Sequence, residues 1–303
     1  MTTERPTVIG LGEVLWDCFD ESRRPGGAPA NVAFQANQLG GHGLVCSRVG
    51  DDALGSELID YLREHGLSPE TLQVDSTHPT STVTVDTSQG GDHPKYVIHE
   101  GVAWDHLAWT DAWTSAFTKA SAVCFGTLAQ RSPESRATIR TALASVPEDC
   151  LTVFDVNLRQ AWYDQETIEE SLKLSRAMKL NDDEVKVISG LLGLSSELGP
   201  FCEAMIERYG IELVCVTRGA EGCVLVSADG LVDVPGKPVE VVDAVGAGDA
   251  FTAALIVKRV QGWPVESAAT FANEIGGLVA SHAGAMPDLR NQLADLKAKY
   301  SPS

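Results

Sequence analysis

Short, almost continuous apolar runs recur along the chain and alternate with stretches whose apolar positions fall at helical spacing. The runs "TVIGLGEV" (7–14), "GLVCSRVG" (43–50), "AVCFGTLA" (122–129), "LTVFDVN" (151–157), "MKLN" (178–181) and "LVCVTRG" (213–219) read as buried strands. A strand covered on both faces shows no polar alternation. Helical patterns follow several of them, in "APANVAFQANQLG" (28–40), "SPESRATIRTALASV" (132–146), "QETIEESLKLSRA" (165–177) and "SELGPFCEAMIERYG" (196–210). From residue 246 onward the pattern is helical, with segments at 247–261, 264–281 and 288–299. This alternation predicts an α/β fold with a mostly parallel sheet covered by helices on both faces. A site is then expected at the carboxyl ends of the strands.

Two regions break the rhythm. Residues 13–26 run from "EVLWDCFDE" into the polar "SRRPGG", and residues 80–101, "TSTVTVDTSQGGDHPKYVIHEG", read as two alternating strands joined by a Gly-Gly turn. Such a hairpin between α/β units can project as a small lid sheet. No internal repeat or low-complexity segment interrupts the 303 residues, a length that suits one large domain or two modest ones.

Composition narrows the partners. The formal net charge is −19 and no run of lysine or arginine occurs, which argues against nucleic acid and anionic membranes. An anionic substrate would have to be held by local dipoles and a metal, because the global field repels it. The start, "MTTERPTVIGLGEV", lacks the basic-then-apolar pattern of a signal peptide, and no run approaches 18 apolar residues. Seven scattered cysteines (18, 46, 124, 150, 202, 215 and 223) form no CxxC pair and read as buried reduced thiols of a cytoplasmic protein.

Three familiar patterns fail. After "GLG" (10–12), the third glycine of a dinucleotide fingerprint would fall at Leu15, where no helix opens. "GLVDVPGKP" (230–238) resembles a phosphate loop, but its first glycine is one residue too far away and Pro238 replaces the Ser/Thr, so it is read as a turn. "HEGVAWDH" (99–106) has the wrong spacing for a zinc-protease helix.

Two constellations hold. In "VEVVDAVGAGDAFTAALI" (239–256), Gly246-Ala247-Gly248 precede Asp249 at the start of a helix. The free N–H groups of a helix start attract an anion, and residues this small do not block it. A carboxylate in the same turn can take a proton from a nucleophile reacting beside that anion, the pairing that phosphoryl transfer to an alcohol needs. Asp249 capping the helix, with small residues serving close packing, is the alternative. In "RPGGAPANVAFQANQLGG" (24–41), Gly26-Gly27 allow close backbone approach to a ligand, and Asn31 offers a donor and an acceptor. Asp17, in "GEVLWD", adds a carboxylate, and carboxylate with amide is suited to gripping vicinal hydroxyls.

"GGAPANVAFQANQLGGHGLVCSRVG" and "DAVGAGDAFTAALI" resemble the amino- and carboxy-terminal signatures of the PfkB (ribokinase-like) carbohydrate kinase family. "FDVNLR" (154–159), "KLNDDE" (179–184) and "VTRGAEG" (216–222) match further family segments in order, so the likeness covers nearly the entire chain. The wording of "GEVLWD", "RPGGAPAN" and "DVNLR" is most similar to bacterial fructokinases. The resemblance implies a ribokinase-like three-layer α/β/α domain over 1–303, with lid segments at about 13–26 and 80–104. It implies an ATP- and magnesium-dependent kinase acting on a primary hydroxyl of a small sugar, first of all fructose. The alternatives are 2-keto-3-deoxygluconate, ribose or a nucleoside, and, in another class, a non-catalytic sugar- or nucleotide-binding regulator on the same fold. Some relatives dimerise through the lid edge.

The same resemblance implies roles. Asp249 would be the base, with the amides of Gly246, Ala247 and Gly248 stabilising the transferred phosphoryl group. Asp17, Gly26, Gly27 and Asn31 would hold the sugar, with Asn157 and Arg159 facing the sugar–phosphate region. Asn181 and Glu184 match an Asn-x-x-Glu element that organises magnesium and phosphates, often through water. Thr217, Gly219 and Gly222 would lie along the nucleotide, and Asn273 near its adenine or ribose. From the residues alone, Asn181 could equally cap a helix and Arg159 could serve a surface ion pair. Trp16, His99 and Trp104 are candidate lid contacts, with aromatic packing as the alternative. One position departs: Ala244 stands where the family usually has threonine, serine or proline. In relatives the segments matching 243–245 and 281–285 frame a monovalent cation, so Asp243 is a candidate ligand and potassium activation stays open.

Overall fold

The computed structural model describes residues 5–19, 22–86 and 95–300. Its strands are β1 (Thr7–Leu11), β2 (Leu15–Cys18), β3 (Arg23–Gly26), β4 (His42–Gly50), β5 (Leu72–Asp75), β6 (Thr82–Asp86), β7 (Lys95–Ile98), β8 (Ala122–Phe125), β9 (Leu151–Asp155), β10 (Ala177–Asn181), β11 (Leu213–Thr217), β12 (Gly222–Ser227) and β13 (Gly230–Pro235). The helices are α1 (Ala28–Gln38), α2 (Ala53–Glu64), α3 (Asp111–Phe117), α4 (Pro133–Ala144), α5 (Gln165–Lys173), α6 (Asp182–Leu192), α7 (Leu198–Tyr209), α8 (Ala247–Val260), α9 (Val265–Ala280) and α10 (Arg290–Tyr300).

The alternation seen in the sequence builds one large sheet in the order β13-β12-β11-β10-β9-β8-β1-β4-β5. It is parallel from β11 to β5, and β12 and β13 join antiparallel at one edge. Side chains alternate between its faces. Ile9 and Leu11 enter a core with Trp113, Ile139, Ile168, Ile188 and Phe201, from α3 to α7. Val8 points the other way, into a core with Val32, Phe251, Ala254, Phe271 and Ile275. That division makes three layers, α/β/α.

The predicted strand 7–14 does not run through. Gly12 has φ +147°, a conformation that favours glycine, and a Cβ there would stand 2.9 Å from the Pro29 ring. The chain leaves the large sheet at that point and resumes as β2. A second sheet, β3-β2-β6-β7, takes its strands from the two segments that broke the sequence rhythm. Its Gly-Gly turn at 90–91 lies outside the described residues. Trp16 ties this lid to the body: its indole N–H donates to the Leu54 carbonyl (3.0 Å), and its ring packs with Phe34, Val49 and Leu58.

One expectation is corrected. "GLVDVPGKP" is not a turn: Gly230–Pro235 forms edge strand β13, paired residue by residue with β12. Only Val234 of that strand is buried, so the periodicity that marks a half-buried strand is nearly absent from its sequence. The seven cysteines are free thiols, six of them buried. Among the described residues no helix is long and apolar enough to cross a membrane.

Helix α1 sits close enough to the sheet that a Cβ on Gly10 would fall inside the Pro29 peptide group. Gly190, within α6, has no atom within 4 Å of its would-be Cβ. Gly10→Ala should therefore destabilise by about 1–3 kcal/mol through overpacking, whereas Gly190→Ala should stabilise by about 0.5–1 kcal/mol. Thermal unfolding of the two variants checks this; similar midpoints would contradict the packing.

Candidate active site

The carboxyl ends of β9, β10 and β11 place Asp155, Asn181 and Thr217 along one edge, where a parallel sheet exposes its site. Asp155 and Lys179 are register partners on β9 and β10. The Lys179 ammonium donates to Asp155 Oδ1 (3.1 Å), and the Thr252 hydroxyl of α8 donates to Oδ2 (2.8 Å). Burial disfavours the lysine charge, but the carboxylates of Asp155, Asp249 and Glu184 outweigh it and hold its pKa above the ordinary value. The floor of the site is thus a buried pair of Lys179 with Asp155, the lysine held in its charged form.

Above it begins α8. Gly246, the residue before the helix, has φ +79°, and a Cβ on it would meet Ala285 at 2.5 Å. A Cβ on Gly248 would lie 3.2 Å from Lys179 Nζ, so the lysine stands directly behind the helix start. The Ala247 N–H turns back to the Ala244 carbonyl (3.3 Å), and the Ala250 N–H begins the helical ladder on Gly246. The amides between them, of Gly248 and Asp249, belong to the first turn, which has no intrahelical acceptor. Of the three amides expected, only that of Ala247 has a backbone acceptor here, and it is a long one.

Asp249 Oδ2 accepts from the Asn31 amide (2.7 Å), joining α8 to the first turn of α1. Burial, reinforced by the negative charge of Asp155, pushes its pKa up to about 6, while Asn31, Lys179 and Arg159 pull it back. Next to this pair lies Glu13, only 3% exposed. Its Oε1 accepts from the Ala28 N–H (3.3 Å), whereas Oε2 has no partner. Asn31 Oδ1 is a second buried acceptor without a donor. Burial pushes Glu13 up to about 7. Asp17 is raised to about 6 mainly by burial, opposed by Arg159 and Arg24.

The two glycines before α1 have distinct reasons. A Cβ on Gly26 would stand 2.6 Å from Asp17 Oδ2, so glycine leaves room for the carboxylate. Gly27 has φ +107° and backs onto the Glu13 carbonyl. Asn157 has φ +42°, and its carbonyl accepts from the Thr127 hydroxyl (3.3 Å). Arg159 is exposed; its charge bears on Glu13, Asp17 and Asp249 together.

At the other end, Asn181 and Glu184 cap α6 reciprocally: Asn181 Oδ1 accepts from the Glu184 N–H (2.8 Å), and Glu184 Oε2 from the Asn181 N–H (2.9 Å). Glu184 Oε1 accepts from the Leu158 N–H (2.8 Å). Burial raises the Glu184 pKa, and Lys179 opposes it. With a backbone donor on each oxygen, Glu184 suits a metal held through water better than one held directly. The Thr217 hydroxyl leans on the Leu180 carbonyl (3.4 Å), and Gly219 has φ +55°. Gly222 packs against the backbone of Val234 and Gly236, which accounts for its missing side chain. The Asn273 amide donates to the Val234 carbonyl (3.4 Å). Asp243 lies in the loop before α8, bonded to the backbone N–H groups of Val245 (3.0 Å) and Gly284 (3.0 Å).

The aromatic candidates divide. Trp104 is fully buried beneath the Arg131 guanidinium (4.1 Å), and Trp16 is 6% exposed, so both serve packing. His99 stays exposed, bonded to the Thr84 hydroxyl (3.0 Å). Sequence reasoning missed Glu13, Lys179 and Arg24. The first two were signalled as charges inside apolar strand runs, "GLGEVL" and "MKLN".

A three-layer α/β/α body, a small β lid and a carboxylate held at a helix start define a carbohydrate-kinase architecture, and the comparisons agree. The pfkB family carbohydrate kinase model matches residues 4–292, and the chain belongs to that family. It is 31% identical over 297 residues to an uncharacterized sugar kinase from Pyrococcus horikoshii, covering 92% of this chain and 91% of that protein. A crystal structure of that protein superposes with TM-score 0.82 over 99% of this chain and 98% of that one. The fructokinase of Salmonella typhimurium is 31% identical, covering 96% of this chain and 98% of that protein. A double mutant of the Vibrio cholerae fructokinase, solved with fructose, ADP and potassium ion bound, is 27% identical with TM-score 0.83, covering 97% and 98%.

Glu13 provides a pH test. Its carboxyl ordinarily titrates at 4.5 and is raised to about 7 here, so the folded chain holds a proton that the unfolded chain releases. The stability tied to this group is full below pH 4.5 and is lost as pH rises to about 7, on the order of 3 kcal/mol. Glu13→Gln mimics the neutral acid. Denaturant unfolding should find it more stable than the wild type at pH 8 and nearly equal at pH 4.5; an equal gap at both pH values would contradict the shift.

Proposed function

We propose that the chain is an ATP-dependent kinase that phosphorylates a primary hydroxyl of a small neutral sugar, with fructose as its substrate. The observation that carries this reading is the Asp249 carboxylate, raised to about 6 and held by Asn31 beside the open amides of α8. At neutral pH such a group is mostly ionised and basic enough to accept the proton of an attacking alcohol. The amides of Gly248 and Asp249, backed by the Lys179 ammonium, face the place where negative charge accumulates during transfer. Bound ATP supplies the phosphoryl group; Glu184 and Asn181 would hold magnesium there, and the ion would screen the phosphate charge. Thr217, Gly219 and Asn273 flank the nucleotide in this reading, and Gly222 shapes the strand beside it.

Asp17 and Asn31 hold the sugar. The two buried acceptors without donors, Glu13 Oε2 and Asn31 Oδ1, favour a ligand rich in O–H donors. The carboxylates of Asp17 and Asp249 disfavour an acidic sugar such as 2-keto-3-deoxygluconate, because the cations Arg159, Arg24 and Lys179 already offset these charges. Relatives named fructokinase support the choice of fructose. The test is coupled ADP release against fructose, ribose, 2-keto-3-deoxygluconate and a nucleoside, with magnesium present. Fructose should give the highest kcat/KM. A higher value for any other acceptor would overturn the substrate assignment, and no turnover with any of them would point to a binding regulator.

A further inference from the structure

The loop before α8 does not offer a free cation site. Asp243 Oδ2 accepts from the Arg24 guanidinium (2.7 Å) and the Gly284 N–H (3.0 Å), and Oδ1 accepts from the Val245 N–H (3.0 Å). Two nearby carbonyls also accept N–H groups: Ala280 those of Val242 and Asp243, and Ala244 that of Ala247. Ala244 adds no side-chain oxygen. A potassium ion needs several oxygens with free lone pairs, and here the carboxylate is met by three N–H donors, one of them carrying a full positive charge. A monovalent cation bound by Asp243 would therefore have to displace this guanidinium, although a fructokinase of the same fold was solved with potassium bound.

The charge that neutralises Asp243 comes from the lid. Arg24 lies on β3 directly opposite Asp17 on β2. Its side chain passes Gly284, where a Cβ would stand 3.2 Å from Arg24 Cδ, and its guanidinium lies 5.2 Å from the Phe19 ring centre. Gly284 itself has φ +79°. One residue on, Ala285 packs against Gly246, which sets the start of α8. Arg24 thus touches both loops that shape the amide edge and stands beside the sugar-gripping carboxylate.

We infer that Arg24 acts as a built-in cation, neutralising Asp243 from the lid and fixing the loops at 243–246 and 281–285, so that the enzyme needs no monovalent ion. Seating β3 over the sugar and ordering the start of α8 then become one event, because the same guanidinium takes part in both. Arg24 is a positioning residue in this scheme, acting through Asp243 and Gly284.

This inference rests on the kinase reading for its rate measurement, so the test carries a second readout that needs no turnover. Rates are compared in potassium, sodium and tetramethylammonium chloride at one ionic strength, together with thermal midpoints in the same salts. Wild type should give the same rate and midpoint in all three. Arg24→Gln should lose rate in tetramethylammonium and recover roughly tenfold in potassium, within the range of ordinary coupling between sites, with a midpoint that rises in potassium. Arg24→Lys, which keeps the charge, should behave as wild type. Potassium-specific activation or stabilisation of the wild type would overturn the inference, whether or not the variants fold. So would a folded Arg24→Gln protein indifferent to the cation in both readouts. If no sugar is turned over by the wild type, the kinase reading fails and the midpoints still decide the role of Arg24.

Discussion

The hydrogen bond from Asn31 to Asp249 joins residues 218 positions apart in the chain and fixes the centre of the site. It forms only if the first turns of α1 and α8 approach each other over the same edge of the sheet. Several glycines serve that approach. A Cβ on Gly10 or Gly43 would push into the backbone of α1, and one on Gly276 would stand 3.1 Å from the Ala247 carbonyl at the start of α8. Gly27 and Gly246 turn the chain into the two helices at positive φ. The small residues that look interchangeable in the sequence therefore act at different contacts with one geometric consequence.

Charge is the second constraint. A chain of net charge −19 gathers Glu13, Asp17, Asp155 and Asp249 in one cleft. Burial raises the pKa values of Glu13, Asp17 and Asp249, neighbouring carboxylates add to it, and single cations placed among them oppose it. Lys179 sits beneath, paired with Asp155; Arg159 stands at the rim; Arg24 reaches in from the lid. In the proposed function, local positive charge rather than a basic surface would receive the anionic co-substrate. In the proposed reaction Asp249 draws on this balance: burial makes it basic enough to accept a proton, while Asn31 and Lys179 favour its ionised form.

Much of this was legible in the sequence, and the limits have physical causes. Buried parallel strands announce themselves as apolar runs, so the order of the central elements could be read directly. Strand β13 could not, because it is an exposed edge with one buried residue. The break at Gly12 was hidden inside a single apolar run, since periodicity does not register where a strand changes sheet. Motif spacing brought out Asp17, Asn31 and Asp249, whereas Lys179 and Arg24 emerge only when strand register and tertiary contact are known. Asn181 caps α6 and also ends β10 at the sheet edge, so the capping role does not exclude the proposed place beside the nucleotide.

The central claim is that Asp249 is the proton acceptor and not only a helix-end residue. Asp249→Asn keeps the size of the side chain and an oxygen able to accept from Asn31, but removes the basic carboxylate. Turnover with saturating sugar and ATP, measured alongside calorimetric binding of each, is the direct test. The account predicts a loss of about 10²–10⁴ in kcat, the usual contribution of a positioned base, with sugar and ATP affinities close to wild type. Near wild-type turnover in a folded, substrate-binding Asp249→Asn protein would contradict it.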